Sequence, residues 1–291
     1  MSTPDAAASA TRAPEVRTER IEAGDGAGAV VLLTVSDPKR RNAMTTALAE
    51  QLVAAVTAAQ EDEGVHALVV TGGDDPVPAF CAGGDLDELA AAGRGGEDDL
   101  RRIYAGFLAL AECPLPTFAA VDGPAVGAGL NLALAADVRL AGETARFEPG
   151  FLRLGVHPGG GMTWMAHRIV GPQATVAMLL AGEGLDAERA AAVGMVLRVV
   201  PGTDPVDGSR DGGEPDPFTH GRSPVVAAAL RMARTSATAP RELVLATKAS
   251  IRTTSTLTRQ SEAVDVEVGP QLESLRSEGF RAGLERVRAR R

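Results

Sequence analysis

Short apolar strands that alternate with helical segments constrain the fold of this chain more than any other feature. Ala29–Ser36 is a β-branched run bounded by turn residues, which predicts a buried strand, and His66–Thr71 and Thr117–Val121 repeat the pattern. Between the first two, Thr45–Gln60 carries leucine, valine and alanine at helical spacing. This alternation predicts an α/β core whose functional sites lie in the loops after the strands.

The two ends of the chain differ from this core. Residues 1–15 are small and polar with no apolar signal-peptide core, so we expect a disordered tail there. Residues 16–202 hold the α/β unit. Residues 203–223 are rich in Gly, Asp and Pro without a hydrophobic period, which predicts an exposed loop. Residues 224–291 show only helical patterning and predict a C-terminal helical region.

Composition excludes several classes of protein. Hydrophobic residues make up 45% and charged residues 23%, as in ordinary globular chains rather than disordered or fibrous ones. The net charge of −9 argues against nucleic-acid and anionic-membrane partners, because both require a basic face. No run approaches the ~18 apolar residues that span a bilayer. Cys81 and Cys113 give neither a disulfide framework nor a metal-binding pattern, so we expect a cytoplasmic protein without a metal.

Three glycine-rich segments are the candidates for chemistry. In Ala79–Leu89 (AFCAGGDLDEL), small residues let the backbone approach a ligand, and Asp85 is placed to cap the following helix. In Val121–Asn131 (VDGPAVGAGLN), a strand leads into a helix, so free amides and the positive helix end face one point. Leu154–Gly161 (LGVHPGGG) opens another helix.

Spacing alone leaves the ligand open. The first segment is read most simply as a glycine turn into a capped helix. In the second, Gly127 and Gly129 give the G-x-G of a dinucleotide-binding loop. Leu132 replaces the third glycine of that motif, however, and no acidic partner follows about 20 residues on, so the match is weak.

Taken together and in order, the three segments resemble the crotonase superfamily, which includes enoyl-CoA hydratases and isomerases. The family patterns F-x-A-G-x-D-L, G-x-A-x-G-G-G and L-G-x-x-P-G-x-G-G match the three segments at similar intervals. The flanking segments Pro38–Ala43 and Gly184–Pro201 resemble the family as well, so the likeness runs from about Val16 to Arg291.

The resemblance implies an α/β, crotonase-like spiral ββα core followed by a C-terminal helical trimerisation region. It implies an acyl-CoA substrate or ligand that brings its own coenzyme A, with no separate cofactor, and a homotrimer or hexamer. Family membership would make the protein a lyase or isomerase.

The resemblance also assigns roles to residues. The backbone N–H groups of Gly84 and Ala128 match the oxyanion hole, which holds the thioester oxygen as it becomes an enolate. Residues that match the contacts with the CoA moiety are Lys39, Arg40, Arg41 and Ala82. The three basic residues are also open to a simpler interpretation as a solvated surface run.

Two departures from the family pattern put simple hydration in doubt. Asn131 and Phe151 occupy the positions of the two glutamates that hydratases use. Neither an amide nor a phenyl ring has a pKa suited to moving protons near neutral pH. The isomerase mechanism that uses a single glutamate would also lack its base, because Asn131 occupies the position of that glutamate.

Other residues are candidates for the missing acid/base. His157 lies in the third segment, and an imidazole has a suitable pKa, although a role in packing at the Pro158 turn is the simpler alternative. Glu148 lies three positions before Phe151, which occupies the second of the family's glutamate positions. Glu88 is another acidic residue that could reach the cleft. Residues for which we expect structural roles are Cys81, Asp85, Asp87 and Asp122.

The sequence therefore predicts an acyl-CoA-processing member of the enoyl-CoA hydratase/isomerase family that stabilises a thioester enolate in a backbone oxyanion hole. The alternatives are a non-catalytic acyl-CoA-binding protein and a decarboxylase or thioesterase variant, since these depend less on a glutamate pair.

Overall fold

The computed structural model describes residues 13–24, 26–73, 78–203 and 216–289. The strands are β1 (Glu15–Glu22), β2 (Ala29–Ser36), β3 (Val65–Gly72), β4 (Thr117–Val121), β5 (Pro124–Val126), β6 (Val138–Gly142), β7 (Arg146–Glu148), β8 (Leu185–Asp186) and β9 (Arg198–Val200). The helices are α1 (Thr46–Glu61), α2 (Leu86–Gly95), α3 (Glu97–Glu112), α4 (Ala128–Ala135), α5 (Phe151–Leu154), α6 (Met162–Ala181), α7 (Ala187–Ala192), α8 (Pro224–Ala237), α9 (Arg241–Thr254), α10 (Gln260–Arg276) and α11 (Glu278–Ala289).

The main sheet has six strands in the order β1-β2-β3-β4-β6-β9. β1 runs antiparallel to β2, and the other neighbours are parallel. Parallel strands are covered on both faces, which explains why β2, β3 and β4 are nearly continuous apolar runs. A smaller sheet joins β5, β7 and β8.

Successive residues of the central strands enter two different cores. Leu33 of β2 packs in one core with Leu52 of α1. Its neighbour Leu32 packs in the other core with Leu230 of α8. The side-chain period of two in a strand produces this division, and α8 is therefore part of the globular core although it belongs to the C-terminal region.

Local sequence predicted the central elements closely. The strands predicted at Ala29–Ser36 and Thr117–Val121 are confirmed with the same bounds. The first helix begins at Thr46 because Thr45 is its N-cap, whose side chain accepts a hydrogen bond from Leu48 N–H at 3.1 Å.

The start of the chain differs from the expected tail. Residues 1–12 lie outside the described residues, but β1 already begins at Glu15, the last residue of the predicted tail. This edge strand pairs with β2 along its full length. Its sequence EVRTERIE is strongly charged, so the strand is stabilised by pairing and buries fully only Ile21.

The C-terminal region is helical, as predicted, whereas 204–215 of the expected loop at 203–223 lie outside the described residues. Lys248 anchors α9 to the core, since its Nζ donates to the carbonyl of Leu115 at 2.6 Å and pairs with Asp137. By contrast, α10 and α11 bury none of their residues. No helix in the described part of the chain is both long and apolar enough to cross a membrane.

Candidate active site

The first two glycine-rich segments lie side by side. Cys81 N–H donates to the carbonyl of Pro124 at 3.1 Å, and Val126 N–H donates to the carbonyl of Cys81 at 3.0 Å. Cys81 and Ala125 thus form a parallel bridge outside the named strands. This pairing holds the loop that follows β3 against the start of α4.

Gly84 is held from its other side by Met44. The N–H of Met44 donates to the carbonyl of Gly83 at 2.7 Å, and the N–H of Asp85 donates to the carbonyl of Met44 at 2.9 Å. Within the described ranges, no backbone carbonyl accepts from the N–H of Gly84 itself. Asp85 caps α2, as predicted, because its carboxylate accepts hydrogen bonds from two amides of the first turn.

Ala128 is the first residue of α4 and follows Gly127, whose φ of 49° is readily adopted by glycine. Gly127 N–H donates to the carbonyl of Glu148 at 2.9 Å, and the carbonyl of Gly127 accepts the N–H of Asn131. The N–H of Ala128 is one of the first-turn amides that have no acceptor within the helix. It therefore remains available to a ligand.

Gly84 and Ala128 line the same cavity of about 540 Å³. Most of its walls are apolar, and the larger apolar side chains are Leu86, Leu89, Leu100, Ile103, Val126, Phe151, Leu154 and Val156. No Asp or Glu is among the described residues that line it. The cavity therefore combines free backbone donors with an apolar wall and has no carboxylate among the residues that the structure describes.

Asn131 lies in this cavity wall and is 2% exposed. Its Nδ2 donates to the carbonyls of Gly159 and Gly160, at 2.9 and 3.2 Å. Its Oδ1 is buried and has no partner among the described residues. The side chain thus fixes the third glycine-rich segment and keeps one acceptor unused.

Phe151 and His157 line the cavity from the third segment and the short helix α5 that precedes it. Phe151 is half-buried and packs against the core, and His157 is exposed. The Nδ1 of His157 lies 2.7 Å from the carbonyl of Pro158. Because a carbonyl only accepts hydrogen bonds, this contact favours a proton on Nδ1 and a lone pair on Nε2.

Comparison with known proteins decides the family. A family model described as enoyl-CoA hydratase/isomerase matches residues 25–211. The chain belongs to the enoyl-CoA hydratase/isomerase family.

Relatives and solved structures agree with this assignment to the enoyl-CoA hydratase/isomerase family. The probable enoyl-CoA hydratase EchA14 of Mycobacterium tuberculosis is 48% identical over 261 residues, which cover 88% of this chain and 92% of the relative. The 2,3-dehydroadipyl-CoA hydratase of Escherichia coli is 39% identical over 174 residues, which cover 59% of this chain and 66% of the relative. The crystal structure of an enoyl-CoA hydratase from Polaromonas sp. JS666 has a TM-score of 0.76 at 25% identity and covers 94% of this chain and 97% of its own. The crotonase-like fold class is confirmed.

In this family member, the basic segment expected at the CoA moiety lies next to the first glycine-rich loop, because Ala82 N–H donates to the carbonyl of Arg41 at 3.1 Å. Arg40 is engaged in ion pairs with Asp37 and Asp85, at 3.2 and 3.0 Å. Lys39 and Arg41 are exposed and form no ion pair with the described residues.

Three acidic residues that the sequence analysis discussed form contacts outside the cavity. Glu88 accepts hydrogen bonds from the N–H and hydroxyl of Thr46, at 2.6 and 2.7 Å, so it stabilises the start of α1 rather than entering the cavity. Glu148 lies 3.8 Å from Arg153 and is absent from the cavity wall. Asp122 accepts a hydrogen bond from the adjacent Gly123 N–H in a turn.

Cys81 is a buried member of the core, as the sequence suggested. Burial raises the pKa of its thiol to about 11, so the thiol stays protonated and is a poor nucleophile at neutral pH. Within the described residues no group of three or more His, Cys, Asp or Glu side chains is placed to hold a metal ion.

Tyr104, the single tyrosine of the chain, is not among the site residues predicted from the sequence. It lies on α3 and lines the cavity of this enoyl-CoA hydratase/isomerase family member. Burial raises the pKa of its phenol, so the hydroxyl keeps its proton. A sequence pattern could have indicated this residue. Helical spacing of Leu100, Ile103, Phe107 and Leu110 gives α3 one apolar face, and Tyr104 lies beside that face.

Proposed function

We propose that this protein binds acyl-CoA thioesters and polarises the thioester carbonyl between the N–H groups of Gly84 and Ala128. The observation that carries the proposal is that both amides lie in one largely apolar cavity without a backbone acceptor among the described residues. The names of the relatives, enoyl-CoA hydratase and 2,3-dehydroadipyl-CoA hydratase, support the same class of substrate.

The physical basis is the negative charge that develops on the thioester oxygen when an enolate forms. Backbone donors that are already in place stabilise this charge without reorganisation, and each contributes about 3–4 kcal/mol in measured cases. The apolar wall strengthens the effect because it excludes water from the hydrogen bonds. Coenzyme A is part of the substrate, and this step requires no further cofactor.

His157 is our candidate for the acid/base, since Asn131 and Phe151 cannot transfer protons. Its ring lines the cavity, and the contact of Nδ1 with the Pro158 carbonyl leaves Nε2 as the basic nitrogen. An imidazole can both accept and return a proton near neutral pH. The reaction proposed is therefore deprotonation or reprotonation beside the thioester rather than hydration by a glutamate pair.

A second function is favoured by the lack of Asp and Glu among the described cavity residues. A protein that only binds acyl-CoA, or a decarboxylase or thioesterase that depends mainly on the oxyanion hole, needs no glutamate pair.

Lys39 and Arg41 are the proposed contacts for the phosphates of CoA. Both are exposed beside the first loop, and neither forms an ion pair with the described residues, whereas Arg40 is held by two carboxylates. Phosphate groups are strongly attracted to such free cations. The buried, unbonded cysteines fit the reducing cytoplasm expected from the sequence.

A homotrimer or hexamer is the proposed assembly. Val264, Val268 and Leu272 follow one another along one side of α10, all close to half exposed, and Phe280 of α11 is 42% exposed. Exposed apolar side chains that recur along one side of a helix are typical of subunit contacts.

The experiment that tests the proposal offers purified protein three thioesters: crotonyl-CoA, malonyl-CoA and butyryl-CoA. Binding is measured by calorimetry and products by chromatography. We expect all three to bind and the hydration of crotonyl-CoA to be far slower than in hydratases with two glutamates. Failure of every thioester to bind would refute the proposal. Rapid hydration that is unchanged in Asn131→Ala would contradict our view of the missing base, and binding without turnover would select the binding protein.

His157→Gln is expected to lower kcat at least tenfold with whichever thioester the protein turns over, because general acid–base groups typically contribute 10²–10⁴-fold. Steady-state rates between pH 5 and 9 provide the measurement. His167→Gln is the matched control, since His167 is exposed and lies outside the cavity wall. Equal rates for the two variants would remove His157 from the mechanism.

A further inference from the structure

The last three helices, α9–α11 at residues 241–289, form a C-terminal arm that joins the core through polar contacts of α9. In this arm α10 packs against α9, and α11 packs against α10. Among the described residues of α9, Lys248 is the only one that is buried, and α10 and α11 bury none of theirs. The arm therefore gains little from the burial of apolar side chains, and its attachment depends on the hydrogen bonds of α9.

Arg241 and Lys248 hold α9 at the end of the sheet where β3 and β4 begin. Arg241 donates to the carbonyls of Gln60 and Val65, at 2.7 and 3.0 Å, and Lys248 donates to the carbonyl of Leu115 at 2.6 Å. The glycine-rich loops of the cavity follow the opposite ends of these strands. These two contacts therefore attach the arm to the core without involving the cavity wall.

Arg252 makes a different contact, because it caps the C-terminus of α3. Its guanidinium donates to the carbonyls of Glu112 and Cys113, at 3.1 and 3.0 Å, and to the carbonyl of Ala111. The last carbonyls of a helix have no donor within the helix and lie at the negative end of its dipole, so a cation there is stabilising. Arg252 lies 140 residues after Glu112 in the chain, and the last turn of α3 therefore depends on the docking of α9.

The capped helix also forms part of the cavity wall. Leu100, Ile103 and Tyr104 of α3 line the cavity. Glu112 follows Tyr104 by eight residues on the same helix, a rise of about 12 Å. Arg252 is thus connected to the cavity through one helix without touching the cavity itself.

We propose that Arg252 is a positioning residue that couples the docking of the C-terminal arm to the binding of a thioester in the cavity. This inference rests on the proposed function and adds a means of regulating the same site. Elements with few buried apolar contacts open as units at low cost in free energy. When the arm opens, α3 loses the three hydrogen bonds at its C-terminus, and the wall that α3 forms is less firmly held.

Coupling between two sites is reciprocal. If a docked arm raises the affinity for a thioester, a bound thioester must hold the arm down by the same factor. In the proposed assembly, subunit contacts at α10 act on the cavity by this route. The docking of the arm and the affinity of the cavity can both be measured, so each direction of the coupling has its own readout.

The test measures amide hydrogen exchange of the full chain by mass spectrometry, with and without butyryl-CoA, and the dissociation constant of butyryl-CoA by calorimetry. In the wild-type protein we expect butyryl-CoA to slow exchange in α10 and α11, although no described residue of either helix lines the cavity. Coenzyme A alone is the ligand control. It lacks the acyl group and should slow exchange in these helices less than butyryl-CoA does.

Arg252→Met removes the donors but keeps an unbranched side chain with good helix propensity. We expect the dissociation constant of butyryl-CoA to rise about fivefold, at the lower end of typical coupling between two sites. The slowing of exchange in α10 and α11 by butyryl-CoA should be lost. Arg252→Lys keeps the charge at the end of α3 and should give intermediate values. Arg281→Met, which removes an exposed arginine from α11, is the matched control and should behave as wild type.

Several outcomes overturn the coupling. It is refuted if butyryl-CoA leaves exchange in the wild-type arm unchanged, or if Arg252→Met binds butyryl-CoA as tightly as wild type. A uniform rise in exchange in Arg252→Met, with the central strands included, would show a general loss of stability and also counts against the coupling. In all these cases binding of butyryl-CoA to the wild type leaves the proposed function standing. If butyryl-CoA does not bind to the wild type, the proposed function fails and the coupling fails with it.

Discussion

Ala128→Pro is expected to reduce kcat by about 100- to 1000-fold while leaving the fold intact, because it removes one donor from the proposed oxyanion hole. Proline lacks the backbone N–H, and at the first position of a helix that N–H has no helical acceptor. Gly127, the preceding residue, has φ 49° and ψ −109°, outside the helical region that a following proline disfavours. The substitution therefore acts on the donor and leaves α4 in place.

Two measurements separate this effect from damage to the site. The first is kcat for a thioester that the wild type turns over. The second is the infrared carbonyl stretch of bound butyryl-CoA labelled with ¹³C at the carbonyl. Donation from two amides weakens the C=O bond and lowers this frequency, so Ala128→Pro should recover part of the shift towards the value in water. The infrared readout works even for a protein that binds without turnover.

Gln260→Pro is the matched control for Ala128→Pro. Gln260 is the first residue of α10, is exposed, and lies far along the chain from the cavity segments. We expect unchanged kcat and an unchanged carbonyl frequency in this variant. A wild-type frequency in Ala128→Pro, with circular dichroism showing a folded protein, would mean that the Ala128 N–H does not touch the thioester oxygen.

The sheet could be predicted from sequence because its central strands are local signals. β2 and β4 are buried on both faces, so each reads as a short apolar run between turns. β1 could not be found this way, since its charged residues face outward and its stability comes from pairing with β2. Edge strands often lack an apolar run of their own.

The part of the candidate site that could be predicted from sequence is the close approach of its two glycine-rich backbone segments. Small residues at 82–84 and at 127–129 signal free amides and close approach, and the structure brings Gly84 and Ala128 to one cavity. Side-chain partners were not predictable, because they depend on contacts between distant segments. Glu88 is held by Thr46, 42 residues away, and the Tyr104 hydroxyl lies against Gly159.

Gly129→Ala is expected to destabilise the protein by about 2–3 kcal/mol and to lower thioester affinity, because the added methyl group has no room. A Cβ at this position would lie 2.1 Å from the carbonyl oxygen of Cys81 and 2.7 Å from its Cβ. The nearest atom belongs to the backbone, so a change of rotamer cannot relieve the clash. Cys81 must move away from α4, which strains the hydrogen bond between its carbonyl and Val126 N–H.

The consequence reaches the proposed oxyanion hole, since the Cys81–Ala125 bridge is what holds the loop of Gly84 beside Ala128. Urea unfolding gives the free energy, and calorimetry with butyryl-CoA gives the affinity. Gly283→Ala is the control, because the nearest atom to its added methyl group is 3.9 Å away, and alanine in the interior of α11 should raise stability by up to about 1 kcal/mol. If Gly129→Ala matches the stability and affinity of wild type, the close approach of α4 to Cys81 does not position the two amides.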